Sequence, residues 1–161
     1  MSDRVLVTGV SGFLGGHVAL ELLRAGYAVR GSVRDLKKAE GVKATLAEAG
    51  GDVARLEVVA LDPLDDAGWR EAAEGCRFVL HVASPFVLAM PKDKDELVRP
   101  AVEGTRRALG AAFDANVERV VLTSSVAFEA SGLAPGEYTV RAQIDDGFGH
   151  TVECSTTITV R

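Results

Sequence analysis

Gly9, Gly12 and Gly15 stand at GxxGxxG spacing in the stretch VTGVSGFLGG, where an apolar strand run ends at Thr8 and a helical pattern opens at Phe13. The spacing suits a phosphate cradle. Gly9 permits a tight turn, Gly12 lets backbone approach a pyrophosphate, and Gly15 lets the helix sit closely on the sheet. Unpaired N–H groups at the helix start and the positive end of its dipole would face the anion. The alternative is a strand-to-helix turn that binds nothing, and the strand–loop–helix context weighs against it. A second position of chemical interest is the tip of the next strand, in GSVRDLKK. A carboxylate there would hold a ribose 2′-hydroxyl, whereas a nearby arginine would hold a 2′-phosphate. Val33 takes the tip, Arg34 follows, and Lys37 and Lys38 lie one turn on. Arg34 offers a two-pronged grip on phosphate and Lys38 a second cation, while Lys37 reads as part of a solvated helix face. Asp35 is the opposing charge, but as a helix N-cap it would be engaged with its own backbone. The pattern favours NADP(H) over NAD(H).

These residues need a scaffold, and the rest of the chain supplies one. Short apolar runs at 4–9, 28–33, 55–61, 78–83 and 119–125 read as strands, and amphipathic stretches at 13–26, 36–50, 65–75 and 94–117 as helices. Pro100 inside the last helix predicts a kink or a late start. Strands alternating with helices of this length imply crossover units and a parallel sheet covered on both faces. With right-handed crossovers this is an α/β, Rossmann-type doubly wound sheet of about five strands. From Glu129 the texture changes. EYTVRAQID (137–145) and TVECSTTITVR (151–161) alternate polar and apolar residues around the turn DDGFGH, which reads as a C-terminal β-hairpin. The expected domains are 1–128, binding the dinucleotide, and 129–161, a loop plus hairpin of foreign character.

With 161 residues the chain can bury a real core, and a net charge of -5 provides no basic surface for nucleic acid. No apolar run is long enough to span a bilayer, and the N-terminus reads as a strand rather than a signal peptide. Cys76 and Cys154 lack metal-ligand spacing. The expectation is a cytoplasmic protein with both thiols reduced and buried, without a membrane or nucleic-acid partner. Trp69, Phe78 and His81 read as packing residues.

Residues of about 3–128 resemble the extended short-chain dehydrogenase/reductase family, in particular its dihydroflavonol-reductase-like branch. The resemblance rests on segments in order: VLVTGVSGFLGGHVALELLRAGYAVRGSVRD, LDPLDDAGW, GCRFVLHVASPF, VRPAVEGTRRAL and RVVLTSSVA. It implies that Thr8, Gly9, Ser11, Gly12, Phe13, Leu14 and Gly15 form the phosphate loop and that Arg34 selects NADP. It implies Asp62 and Pro63 beside the adenine, and Val82, Ala83 and Ser84 along the nicotinamide ribose. Ser125 takes the catalytic-serine place, with Thr123 and Ser124 beside it. Arg106 departs from the pattern, because the family usually carries Asn after Gly-Thr.

The same resemblance implies carbonyl reduction by a serine with a Tyr-x-x-x-Lys pair. That spacing puts both side chains on one helix face, where the ammonium lowers the phenol pKa and the phenol hands a proton to the carbonyl oxygen. Tyr138 is the only tyrosine after Ser125; Ala142 stands four residues on, and Arg141 is one residue early. The chain as it stands is therefore expected to be catalytically incomplete, without the pair and without a substrate domain. The tail, SGLAPGEYTVRAQIDDGFGHTVECSTTITV, is similar to the last two strands of a bacterial immunoglobulin-like or PKD-type sandwich. A lone hairpin is marginal and would dock on the open sheet edge beside the fifth strand or on exposed helix surface. That edge and helix 94–117 are also where self-association is expected. The function read here is the NADP(H)-binding domain of a short-chain reductase acting on carbonyl or alcohol substrates. A non-catalytic nucleotide-binding module and a chimeric or structural protein remain as alternatives, and a fusion, a design, a frameshift or a gene-model error could each produce the seam.

Overall fold

The computed structural model describes residues 3–84, 93, 95–123, 136–145 and 151–160. Contacts divide the chain into two units, Met1–Ser124 and Ser125–Arg161.

In the first unit a strand buried on both faces sets the plan. β1 (Arg4–Val7) sends Val5 and Val7 into one apolar layer and Leu6 into the other. This explains why it is a continuous apolar run rather than an alternating one. The chain continues as α1 (Phe13–Arg24), β2 (Ala28–Val33), α2 (Ala39–Glu48), β3 (Leu56–Ala60), α3 (Trp69–Ala73), β4 (Phe78–His81), α4 (Asp95–Asp114) and β5 (Arg119–Leu122). The strands lie in the order β3-β2-β1-β4-β5, with every neighbouring pair parallel. On one face Ala19, Leu20 and Leu23 of α1 and Leu46 of α2 pack on Val5, Val7, Val29 and Val33. On the other, Trp69, Ala72 and Ala73 of α3 and Ala108, Ala111 and Ala112 of α4 pack on Leu6 and Val79. The α/β doubly wound sheet expected from the sequence is the fold observed.

Two boundaries differ from the sequence reading. The stretch expected to be helical from 65 starts only at Trp69, because Gly68 adopts φ +80° and Asp65 turns its carboxylate onto the Ala67 N–H (3.0 Å). α4 starts at Asp95 and runs through Pro100, so its start is not delayed by the proline. Asp93 begins it instead, accepting the Asp95 N–H on its carboxylate (2.9 Å) and the Glu96 N–H on its carbonyl (3.3 Å). Val98, Val102, Leu109 and Phe113 of α4 and Val121 and Leu122 of β5 remain exposed.

One charged residue is built into this core. Arg30 of β2 is buried, and its Nη1 donates to the carbonyls of Glu71 (3.1 Å), Ala72 (2.8 Å) and Glu74 (2.9 Å). Its Nε pairs with Glu57 at 2.9 Å. A strand arginine thus satisfies the carbonyls that the end of a short helix leaves unpaired. Cys76 is buried beside it as a free thiol, and burial pushes its pKa up.

The second unit is a hairpin of β6 (Gly136–Asp145) and β7 (Thr151–Val160), antiparallel from Gly136↔Val160 to Asp145↔Thr151. Tyr138 is paired with Ile158 and Ala142 with Cys154. The alternating pattern of the sequence matches this ladder.

Candidate functional site: a crevice between two strand ends

In a parallel sheet the ligand crevice opens at the carboxyl ends of the strands, where the winding order reverses. Here that point lies between β1 and β4. The chain leaves β1 at Gly9 with φ +77°, a conformation that disfavours any side chain. The Gly9 N–H is shared between the Ser32 carbonyl and the Ser32 hydroxyl, both at 3.1 Å, and the Val10 N–H bonds the same carbonyl at 3.0 Å. The loop is thereby fixed to β2. A Cβ on Gly9 would lie 3.1 Å from Ala83 Cα, so the two sides of the crevice are almost in contact at its base. Gly12 is the N-cap of α1 and no side chain caps that end. The first-turn N–H groups therefore face outward without a side-chain acceptor. A Cβ on Gly12 would meet only the Gly9 carbonyl oxygen, at 3.3 Å. On Gly15 it would overlap that same oxygen and lie 2.7 Å from the Gly9 carbonyl carbon. The close approach that Gly15 allows is thus to the loop's own backbone rather than to the sheet at large. Phe13 and Leu14 open the helix with exposed side chains, and the Phe13 ring lies 4.4 Å from the His17 ring.

At the tip of β2, Val33 is buried and Arg34 is exposed, with no ion pair to any described residue. Asp35 accepts the Lys37 N–H at 2.9 Å and caps a short 3-10 turn at Leu36–Lys38, so its carboxylate is occupied as a cap. Lys38 and Ser11, Gly12 and His17 line one cavity of ≈ 630 Å³ between the glycine loop and α2.

Asp62 follows β3, exposed, with its carboxylate accepting the Leu64 N–H at 2.8 Å and its carbonyl accepting the Trp69 Nε1–H at 3.0 Å. Pro63 lies against Gly104 of α4, where a Cβ would approach it to 2.8 Å. Arg107 completes this support, donating to the Pro63 carbonyl at 2.8 Å and pairing with Asp66 at 2.6 Å and Glu103 at 3.1 Å. Sequence reasoning did not find Arg107. Its signal was only a Glu103–Arg107 spacing of one helix turn, which is common on solvated helices.

The opposite wall is the end of β4. The N–H groups of Val82 (3.0 Å) and Ala83 (2.9 Å) both donate to the Thr8 hydroxyl oxygen. Thr8 Oγ1 lies 3.0 Å from His81 Nδ1, and both residues are buried. Burial holds the His81 pKa below the usual histidine value. Val82 is half-buried, and Ala83 and Ser84 are exposed at the crevice. Thr123, after β5, is exposed and donates its N–H to the His81 carbonyl at 3.1 Å. Ser124 and Ser125 lie outside the described residues. Tyr138 is on a β-strand of the second unit. Among the described residues no group of acidic, histidine or cysteine side chains could hold a metal ion, and no helix is long and apolar enough to cross a membrane.

Comparison with known proteins adds an independent line. The NAD dependent epimerase/dehydratase family matches residues 5–145. Cinnamoyl-CoA reductase 1 of Oryza sativa subsp. japonica is 49% identical over 121 residues, which are 75% of this chain and 34% of that protein. Dihydroflavonol 4-reductase of Hordeum vulgare is 40% identical over 122 residues, again 75% of this chain and 34% of that protein. The crystal structure of yeast methylglyoxal/isovaleraldehyde reductase complexed with NADPH superposes with a TM-score of 0.64 at 34% identity, over 76% of this chain and 37% of that one. The chain thus spans about a third of the length of the curated relatives it matches.

Proposed function

The chain belongs to the NAD dependent epimerase/dehydratase family, and on that premise we propose that it binds NADP(H) in preference to NAD(H) across the ends of β1 and β4. The carrying observation is the glycine loop. It ends on an uncapped helix N-terminus, and the space a side chain would fill at Gly12 is left open. This fits a dinucleotide pyrophosphate, which takes backbone N–H donors and the positive end of the helix dipole. In this reading the N–H groups of Ser11, Phe13 and Leu14 hold the pyrophosphate. Arg34 grips the 2′-phosphate, with Lys38 as a second cation. The occupied Asp35 carboxylate supports that choice, because it is turned onto Lys37 N–H. Asp62 and Pro63 border the adenine, and Val82, Ala83, Ser84 and Thr123 border the nicotinamide end.

The substrate class proposed is a carbonyl or alcohol, as the names of the reductases above suggest. When bound, the nicotinamide supplies or accepts the hydride. Ser125 would hydrogen-bond the carbonyl oxygen, but no Tyr-x-x-x-Lys pair occurs in the 161 residues to supply its proton. The proposal is therefore a cofactor-binding half with absent or residual reduction in this chain. Fluorescence titration of the purified chain with NADPH and NADH tests the binding. Equal affinities would remove the NADP preference, and no binding of either would remove the reading.

A further inference from the structure

His81 is buried beside the crevice and contributes no side chain to it. Its nearest polar partner is a hydroxyl with no freedom left. Thr8 Oγ1 accepts the N–H groups of Val82 (3.0 Å) and Ala83 (2.9 Å), which use both oxygen lone pairs. The Thr8 hydrogen must then point at its remaining neighbour, His81 Nδ1, at 3.0 Å. An imidazole nitrogen that accepts is unprotonated, so His81 is neutral and carries its proton on Nε2. The Trp69 ring packs against it in a T-shaped arrangement, with centroids 6.3 Å apart.

We infer that His81 is a positioning residue for the dinucleotide: by accepting the Thr8 hydroxyl hydrogen it orients that oxygen toward the Val82 and Ala83 N–H groups and fixes the β4 wall of the crevice. The inference rests on the proposed cofactor reading and deepens it. The wall it fixes is the one opposite the glycine loop, where a Cβ on Gly9 would lie 3.1 Å from Ala83 Cα. Without an acceptor at Nδ1 the Thr8 hydroxyl would turn its hydrogen elsewhere and compete with one of the two backbone donors. Ala83 would then be free to shift against Gly9, and the width of the crevice would be lost. Packing alone does not require any of this. A leucine could fill the place of the imidazole, but it could not orient the hydroxyl.

The test is the NADPH affinity of the full chain and of His81→Leu, His81→Asn and Thr8→Val. The Asn carboxamide oxygen sits where Nδ1 sat and can accept the same hydrogen. Loss of one hydrogen bond in His81→Leu should weaken binding about three- to tenfold, and His81→Asn should restore it to within about twofold. Thr8→Val deletes the same bond from the other end and should be at least as weak, which keeps the test open if His81→Leu fails to fold. Nitrogen NMR of the parent should show an unprotonated Nδ1 and a protonated Nε2. Equal affinity of parent and His81→Leu, equal weakness of the Leu and Asn variants, or a protonated Nδ1 would each overturn the inference while parental binding preserves the cofactor reading. A parent that binds neither NADPH nor NADH would overturn that reading and this inference together.

Discussion

Gly15 is packed against Gly9. A Cβ on Gly15 would overlap the Gly9 carbonyl oxygen, whereas a Cβ on Gly12 would lie 3.3 Å from the same atom. The two glycines therefore fail differently. Gly15→Ala forces the start of α1 away from the Gly9–Val10 turn and should destabilise the fold by about 1–3 kcal/mol, as overpacking does. Gly12→Val should leave a folded chain that has lost NADPH binding, because the new side chain would occupy the place the proposed reading gives to the pyrophosphate. Urea unfolding and cofactor titration of both variants separate the roles. Normal NADPH binding by Gly12→Val would mean the loop is only a turn.

On the proposed reading Arg34 carries the dinucleotide preference. Removing a charge-assisted contact to a 2′-phosphate should cost about 1.5–3 kcal/mol of NADPH affinity in Arg34→Ala. NADH affinity should hardly change, since that cofactor lacks the phosphate. Equal losses for both would assign Arg34 to general attraction of anions.

Arg30 should be needed for stability and dispensable for selectivity. Its guanidinium bonds the carbonyls of Glu71, Ala72 and Glu74 and the Glu57 carboxylate. Arg30→Met leaves buried acceptors unpaired and should cost about 3 kcal/mol or more. Arg30→Lys cannot reproduce the fork and should recover only part of that. The ratio of NADPH to NADH affinity in any folded variant should stay as in the parent.

His81 ties stability to pH. Its folded pKa lies below the ordinary value of 6.5 because burial disfavours the imidazolium. The unfolded chain then binds more protons than the folded one, so stability rises with pH. The contribution is complete above the unfolded value and is lost as pH falls from about 6.5 toward the folded pKa. Urea midpoints measured between about pH 7.5 and 5 should fall with acidity in the parent and less steeply in His81→Asn, the difference isolating this group. Parallel slopes would show that His81 does not titrate differently in the two states.

Carbonyl reduction should be absent or residual, and Tyr138→Phe should not alter it. Tyr138 lies on β6, paired with Ile158, four residues from Ala142 rather than from a lysine. General acid catalysis typically contributes about 10²–10⁴-fold, and without the Tyr-x-x-x-Lys pair an alkoxide would have to take its proton from water. NADPH oxidation with aldehyde and ketone substrates measures this. Turnover that drops strongly in Tyr138→Phe would place the phenol at the reacting carbonyl.

Much of the architecture was written in local pattern. The glycine spacing, the apolar runs and the helix periodicity each arise from neighbours a few residues apart, and they suffice to give a parallel doubly wound sheet and a hairpin. The same locality picked out the glycine turn between β1 and α1 and the capping role of Asp35. It could not give the partners of buried polar groups, because those come from distant parts of the chain. Arg30 reads as an odd charge in a strand until α3 lies over it, and Arg107 reads as a surface cation until the loop after β3 reaches it. Gly15 has a reason in the sequence, but its actual obstacle, the Gly9 carbonyl, exists only once the turn has closed. His81 is the clearest case. By itself it is a histidine in an apolar strand, and only the register of β1 beside β4 brings Thr8 to its ring. Sequence fixes what is periodic and near; the tertiary structure alone decides which donor meets which acceptor, since hydrogen bonds depend on distances and directions between segments that the chain order does not encode.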